Sequence, residues 1–254
     1  MAGSNRSAVI TGGSAGIGFA TAQALSRKGY TVFIAGRDQQ RGDAAAAELR
    51  AGGADARFIR TDVSQDKEVA ALASEAAQAG PIDAWFNNAG VEGIAGPLAV
   101  VDDDAVRELF DINLKGVYSG LRHSAEHMAE GGVIVNNASF VGVLAPVPIA
   151  VAYGATKAAV VSMTRSAAIG LADQGISVFA VCPFIVDTPM LDRLTGGAGP
   201  EARAGFAAQF APSGKLTEPG EVADVVASLV SGERNHPSGT VLTIDAGSVE
   251  ILGA

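Results

Sequence analysis

SAVITGGSAGIGFATAQALSRK, residues 7–28, decides the fold. Ser7–Thr11 is a short run of small and β-branched residues and reads as a buried strand. Gly16–Lys28 is Ala-rich and reads as a helix. Between them lies Thr11-Gly12-Gly13-Ser14-Ala15-Gly16-Ile17-Gly18. Glycines let a backbone turn tightly and approach a bound group, and a helix start offers unpaired N–H groups and a dipole suited to an anion. Gly12, Ser14, Gly16, Ile17 and Gly18 are therefore expected to cradle a pyrophosphate.

The alternation continues along the chain. Strands are expected at Thr31–Ala35, Ala56–Thr61, Ile82–Asn87, Val133–Ala138, Ser177–Cys182 and Val241–Asp245. Helices are expected at Gln39–Ala51, Gln65–Ala79, Asp102–Ala129, Ala152–Ala172 and Glu218–Ser231. Short apolar strands separated by helices predict an α/β fold: one doubly wound, Rossmann-like parallel sheet with helices on both faces. No repeat or low-complexity linker interrupts the pattern, so one domain over 1–254 is expected. Residues 188–214, with Thr195-Gly196-Gly197-Ala198-Gly199-Pro200 inside them, are expected to form a mobile loop at the substrate site.

The 254 residues are 48% hydrophobic, ample for one core, and the formal net charge is −9. That acidity argues against nucleic-acid binding, which needs basic residues to neutralise phosphates. Cys182 is the sole cysteine, which excludes an internal disulfide and is expected to be buried and inert. The start, MAGSNRSAVITGG, does not read as a signal peptide. Gly131–Thr156 has no charge, but Asn136, Asn137, Pro146 and Pro148 argue against a membrane span. A cytoplasmic protein is expected.

Gly12, Ser14 and Gly16 also satisfy the Gly-x-Ser-x-Gly pattern of α/β-hydrolases. Ser14 stands on the wrong strand for that fold, and His123 and His127 lie on a helix, with only His236 left as a partner. The second strand ends Ala35-Gly36-Arg37-Asp38. Arg37 could pair with a ribose 2′-phosphate and Asp38 could accept from a 2′-hydroxyl, so NADP(H) is favoured and NAD(H) stays open.

Tyr153 and Lys157 are four residues apart, on one helix face. With TGGSAGIG at 11–18, Asp62-Val63, Asn87-Asn88-Ala89-Gly90, Asn113 and Ser139, all in order, the chain resembles the short-chain dehydrogenase/reductases over nearly its whole length. The resemblance implies that Asp62 and Val63 contact adenine and that Asn88, Ala89 and Gly90 line the adenosine and ribose. It implies a catalytic tetrad of Asn113, Ser139, Tyr153 and Lys157, with Asn113 holding a water. Pro183, Val186 and Thr188 would cradle the nicotinamide. A homotetramer or dimer is implied as well. Two departures stand out: Phe184 follows Pro183 where the family commonly has Gly, and Ala15 stands where a basic residue is frequent.

Hydride transfer to a ketone leaves negative charge on oxygen, which needs a proton donor. Tyr153 suits that task if a cation lowers its ordinary pKa, and Lys157 is the expected cation. Ser139 would polarise the carbonyl. Phe140, Leu144, Phe184 and Met190 suggest an apolar pocket. The reaction expected is interconversion of a small-molecule ketone or aldehyde and a secondary alcohol. Reduction of a 3-oxoacyl thioester and a catalytically silent cofactor-binding regulator are the alternatives. His123 and His127 lack a third metal ligand, and Asp102-Asp103-Asp104 is expected to cap a helix.

Overall fold

The structure is a computed structural model and describes residues 6–93, 96 and 102–252. Residues 1–5 of the N-terminal stretch read above lie outside it. The chain alternates β1 (Ser7–Thr11), α1 (Gly16–Arg27), β2 (Thr31–Gly36), α2 (Gln39–Ala51), β3 (Ala56–Arg60), α3 (Asp66–Ala76) and β4 (Ile82–Asn87). Then come α4 (Asp103–Phe110), a π turn (Asp111–Lys115), α5 (Gly116–Ala125), β5 (Met128–Asn137) and α6 (Val151–Gly170). The last part holds β6 (Ser177–Pro183), α7 (Pro189–Leu194), α8 (Gly199–Phe210), α9 (Pro219–Val230), β7 (Val241–Asp245) and β8 (Ser248–Ile251).

The strands form one eight-stranded sheet in the order β3-β2-β1-β4-β5-β6-β7-β8, parallel except for β8. Strand residues alternate between two cores because successive side chains point to opposite faces. From β1, Ala8 and Ile10 pack under α1 and α9 with Leu25 and Val226. Val9 packs on the other face with Leu72 of α3 and Val160 of α6. Trp85, fully buried on that second face, is tied into a chain of buried amides. Its Nε1 donates to Asn87 Oδ1 (2.7 Å), Asn87 Nδ2 donates to Asn136 Oδ1 (2.8 Å), and Asn136 Nδ2 donates to Thr164 Oγ1 (2.9 Å). The chain joins β4, β5 and α6 beneath the strand ends. It needs Gly120 beside it, because a Cβ there would lie 1.9 Å from Asn87 Oδ1.

Three points of the sequence reading need correction. The helix expected over Asp102–Ala129 is broken by the π turn, and it stops at Ala125 because Ile82 N–H pairs with His127 C=O and Met128 begins β5. Asp102 does cap its start, accepting from the N–H groups of Asp104 and Ala105. The loop expected over 188–214 folds into α7 and α8. Pro189 and Pro200, read as loop residues, occupy first-turn helix positions, where a missing N–H is harmless. Strand β8 was not expected; Ala246 and Gly247, with φ of +43° and +88°, turn the chain back onto β7. Among the described residues no helix is long and apolar enough to cross a membrane.

Candidate active site

Strand β1 lies between β2 and β4, so the connections leaving β1 and β4 diverge to opposite sides. Crevices at such a switch point, outside the C-terminal strand ends, are the ligand sites of open α/β sheets. Here the crevice is a cavity of about 350 Å³. Gly12, Ser14, Gly16 and Ile17 line it from the first turn, and Asn88, Ala89 and Gly90 from the loop after β4. Ser139 and Phe140 enter after β5, Tyr153 and Lys157 from α6, and Pro183, Phe184, Val186, Thr188 and Met190 after β6.

Other expected site residues lie outside that wall. Gly18 sits behind the turn, where a Cβ would be 2.3 Å from Gly12 C=O, so its role is to let α1 close on its own turn. Asp62 accepts from Ser64 N–H and Oγ, and Val63 is buried against Gly116. Arg37 stands 3.9 Å from Glu108 and is exposed. Asp38 caps α2 by accepting from Arg41 N–H, and it is Arg41 that reaches the cavity wall. Leu144 is 43% exposed in the turn after Phe140 and does not line the cavity. Val147, Ile149, Phe206 and Phe210 line it instead; α8 supplies the last two, so a stretch read as loop hid them. His123 Nε2 is 3.0 Å from Asp66 Oδ1 and His127 lies by Ser74, so neither meets Ser14.

A polar chain ties the glycine turn to Lys157. Thr11 Oγ1 accepts from the N–H groups of Asn88 (3.0 Å) and Ala89 (3.1 Å), binding the glycine turn to the β4 loop. Asn137 Nδ2 donates to Asn88 Oδ1 (3.0 Å), and Lys157 Nζ donates to Asn137 C=O (2.7 Å). Asn113, inside the π turn, grips the backbone of Val91 from both sides: its Oδ1 accepts from Val91 N–H and its Nδ2 donates to Val91 C=O, each at 2.8 Å. Its amide is thus occupied in positioning the loop.

The electrostatics reverse one expectation. Burial pushes the Tyr153 phenol up to about 12; hydrogen bonding from Ser139 opposes the rise, and the charge of Glu92 adds to it. Lys157 was expected to hold the phenol low. Its Nζ is 5.6 Å from the Tyr153 ring centre and spends a proton on Asn137, and burial lowers its own pKa to about 8. In the protein alone desolvation outweighs the cation. Cys182, buried on β6, is likewise pushed up to about 12 by burial, which keeps it an unreactive thiol.

Comparison with known proteins accounts for this arrangement. A family model described as enoyl-(acyl carrier protein) reductase matches residues 12–248. The cis-4-hydroxycyclohexanecarboxylate dehydrogenase of Sinomonas cyclohexanicum is 39% identical over 95% of this chain and 96% of its own. The chain belongs to the short-chain dehydrogenase/reductase family. The 2,5-dichloro-2,5-cyclohexadiene-1,4-diol dehydrogenase of Sphingobium indicum is 35% identical over 98% of each chain. The crystal structure of an actinorhodin polyketide ketoreductase variant with NADPH superposes with a TM-score of 0.88 at 31% identity, covering 96% of this chain and 97% of that one.

As a short-chain dehydrogenase/reductase, the protein is an oxidoreductase that interconverts carbonyl and alcohol groups with a nicotinamide cofactor. The residues present fit that cofactor. Gly12 and Gly16 hold left-handed φ of +65° and +51°, shaping a turn that leaves backbone N–H groups at the start of α1 for a pyrophosphate. Asn137 Oδ1, in the cavity wall, is buried without a hydrogen-bond partner among the described residues, as an acceptor awaiting a donor would be.

Proposed function

We propose that this chain, acting as one catalytic domain, interconverts an apolar cyclic secondary alcohol and its ketone, with Tyr153 as proton donor and acceptor. The observation that carries this reading is the convergence of Ser139, Tyr153 and Lys157 on one cavity whose remaining wall is largely apolar. Phe140 and Phe184 stack there with ring centres 4.7 Å apart, and Phe184, in place of the family's usual glycine, supplies a flat face for a ring. The two relatives named above act, by name, on six-membered ring alcohols.

A nicotinamide held in this cavity would accept or supply the hydride. Ser139 donates to the substrate oxygen and orients it. Tyr153 holds the proton that this oxygen gains in reduction and receives it in oxidation. A phenol near 12 is a poor base at neutral pH, so oxidation requires the Lys157 ammonium to stabilise the phenolate as the substrate closes the site. Asn113 holds Val91 and so fixes the loop that carries Asn88 to Gly90. For the cofactor, NADP(H) is favoured over NAD(H): Arg41 in the cavity wall, with Arg37 nearby in sequence, offers guanidinium groups suited to a 2′-phosphate. Asp62, Val63, Pro183, Val186 and Thr188 complete the cofactor site in this reading. Exposed Tyr118 on α5 and Ile169 on α6 support a homotetramer or dimer.

Replacing the phenol tests the assignment. Tyr153→Phe should lower kcat by about 10²–10⁴-fold, the range of a lost general acid, while nicotinamide cofactor still binds. Turnover of cyclohexanol near the wild-type rate would refute it.

A further inference from the structure

The substrate end of the cavity carries one feature that hydride transfer does not use. Among the described residues four charged side chains line the cavity: Arg41, Glu92, Lys157 and Arg193. Arg41 comes from α2, and Lys157 is bound to Asn137. Glu92 and Arg193 remain, and they form a fork. Arg193 Nε donates to Glu92 Oε1 (2.5 Å) and Nη2 donates to Oε2 (2.9 Å). The pair joins the loop after β4 to α7, 101 positions apart.

Both halves are held from behind. Glu92 follows Val91, whose N–H and C=O are gripped by Asn113. Arg193 rides on α7, whose Asp192 lies 3.5 Å from Arg203 of α8, and Arg203 also pairs with Asp187 just before α7. The Glu92 side chain is only 16% exposed, and its charge is felt at the Tyr153 phenol. The Arg193 side chain is 55% exposed, so Glu92 gives up most of its hydration while the guanidinium stays open to solvent, and a further hydrogen bond to the carboxylate replaces water it has lost. Among the described residues the fork leaves such bonds available: Nη1 of Arg193 makes no hydrogen bond, and each Glu92 oxygen has a further lone pair.

We propose that the Glu92–Arg193 pair is a second substrate-recognition point, which reads a neutral oxygen substituent on the ring away from the reacting carbon. A ring hydroxyl there donates to Glu92 and accepts from Arg193 Nη1; a ring carbonyl accepts from Nη1. A carboxylate is disfavoured, because Glu92 already neutralises Arg193 and would face a like charge. The substrate class is therefore the cyclic diol or hydroxyketone, rather than the simple ring alcohol or the ring hydroxy acid. This rests on the ring-alcohol reading above.

The test measures kcat/KM for cyclohexanol, cyclohexane-1,4-diol and 4-hydroxycyclohexanecarboxylate, with NAD⁺ and NADP⁺, in wild type, Glu92→Gln, Glu92→Ala and Arg193→Met. Wild type should prefer the diol to cyclohexanol by about tenfold or more, since a site built to hydrogen-bond a group rejects the analogue lacking it. The hydroxy acid should rank last. Arg193→Met should erase the diol preference. Glu92→Ala and Glu92→Gln should erase it too, and should raise the hydroxy acid relative to cyclohexanol by freeing Arg193. These are ratios within one protein, so a general loss of fold or rate cancels. Equal kcat/KM for diol and cyclohexanol in wild type would overturn the proposal. So would a hydroxy acid that outranks the diol, or variants that slow all three substrates alike, as a pin between loop and helix would. Turnover of cyclohexanol with unselective ratios sinks this proposal alone; no turnover of any ring alcohol sinks the ring-alcohol reading and this proposal with it.

Discussion

Lys157→Met should make the protein more stable at neutral pH while it ends turnover. Lys157 is 6% exposed, and burial lowers its pKa from the ordinary 10.5 to about 8. A shift of that size corresponds to about 3 kcal/mol of penalty on the charged form, at ~1.4 kcal/mol per pKa unit. Against this stands the bond from Nζ to Asn137 C=O, which contributes about 1 kcal/mol even for the neutral amine. The variant is therefore expected to gain about 2 kcal/mol at pH 7. The pH dependence is the sharper test. Between pH 8 and 10.5 the unfolded chain keeps the lysine proton that the folded protein has released, so the wild type gains stability as pH rises through this window. The methionine variant has no such group. Its advantage should shrink above pH 8 and become a deficit of about 1 kcal/mol near pH 10.5. Urea unfolding of both proteins from pH 7 to 10.5 reads this directly. Stability curves that run parallel across the window would show that Lys157 is not a desolvated charge, and the reasoning would fail.

Asn136→Leu removes the centre of the buried amide chain and strands Asn87 Nδ2, so a loss of about 2–4 kcal/mol is expected in thermal or urea unfolding. Gly120→Ala drives a methyl into Asn87 Oδ1 and should destabilise by at least about 1–3 kcal/mol, with Asn87→Ala in the same chain relieving the clash. Arg41→Ala should weaken NADP(H) binding more than Arg37→Ala, because Arg41 lines the cavity and Arg37 does not; titration of each variant with NADPH and NADH checks the order.

Much of this protein was legible in its sequence because the signals are local. The glycine turn at 11–18 fixes where β1 ends and α1 begins. Alternating strand and helix patterns imply the parallel sheet, and the spacing of Tyr153 and Lys157 places both on one face of α6. The segments that misled were those in which a residue serves two structural vocabularies. Pro189 and Pro200 mark loops as readily as helix starts, which concealed α7 and α8 and with them Phe206, Phe210 and Arg193.

Other properties depend on what lies across space. The break at Asn113 follows from Val91, 22 positions away, whose backbone takes both ends of its amide. Spacing pairs Tyr153 with Lys157, but only the packed site shows that burial drives the phenol up and the ammonium down, because desolvation depends on how much protein surrounds a group. Glu92 and Arg193 carry no motif at all; they meet because α7 folds back over the loop after β4. The sequence by itself determined the family and the sheet, and it singled out Ser139, Tyr153 and Lys157, which the structure brings to one cavity. The tertiary structure decided which charges lose their water and which side chains line the cavity, since both are properties of enclosure and not of order along the chain.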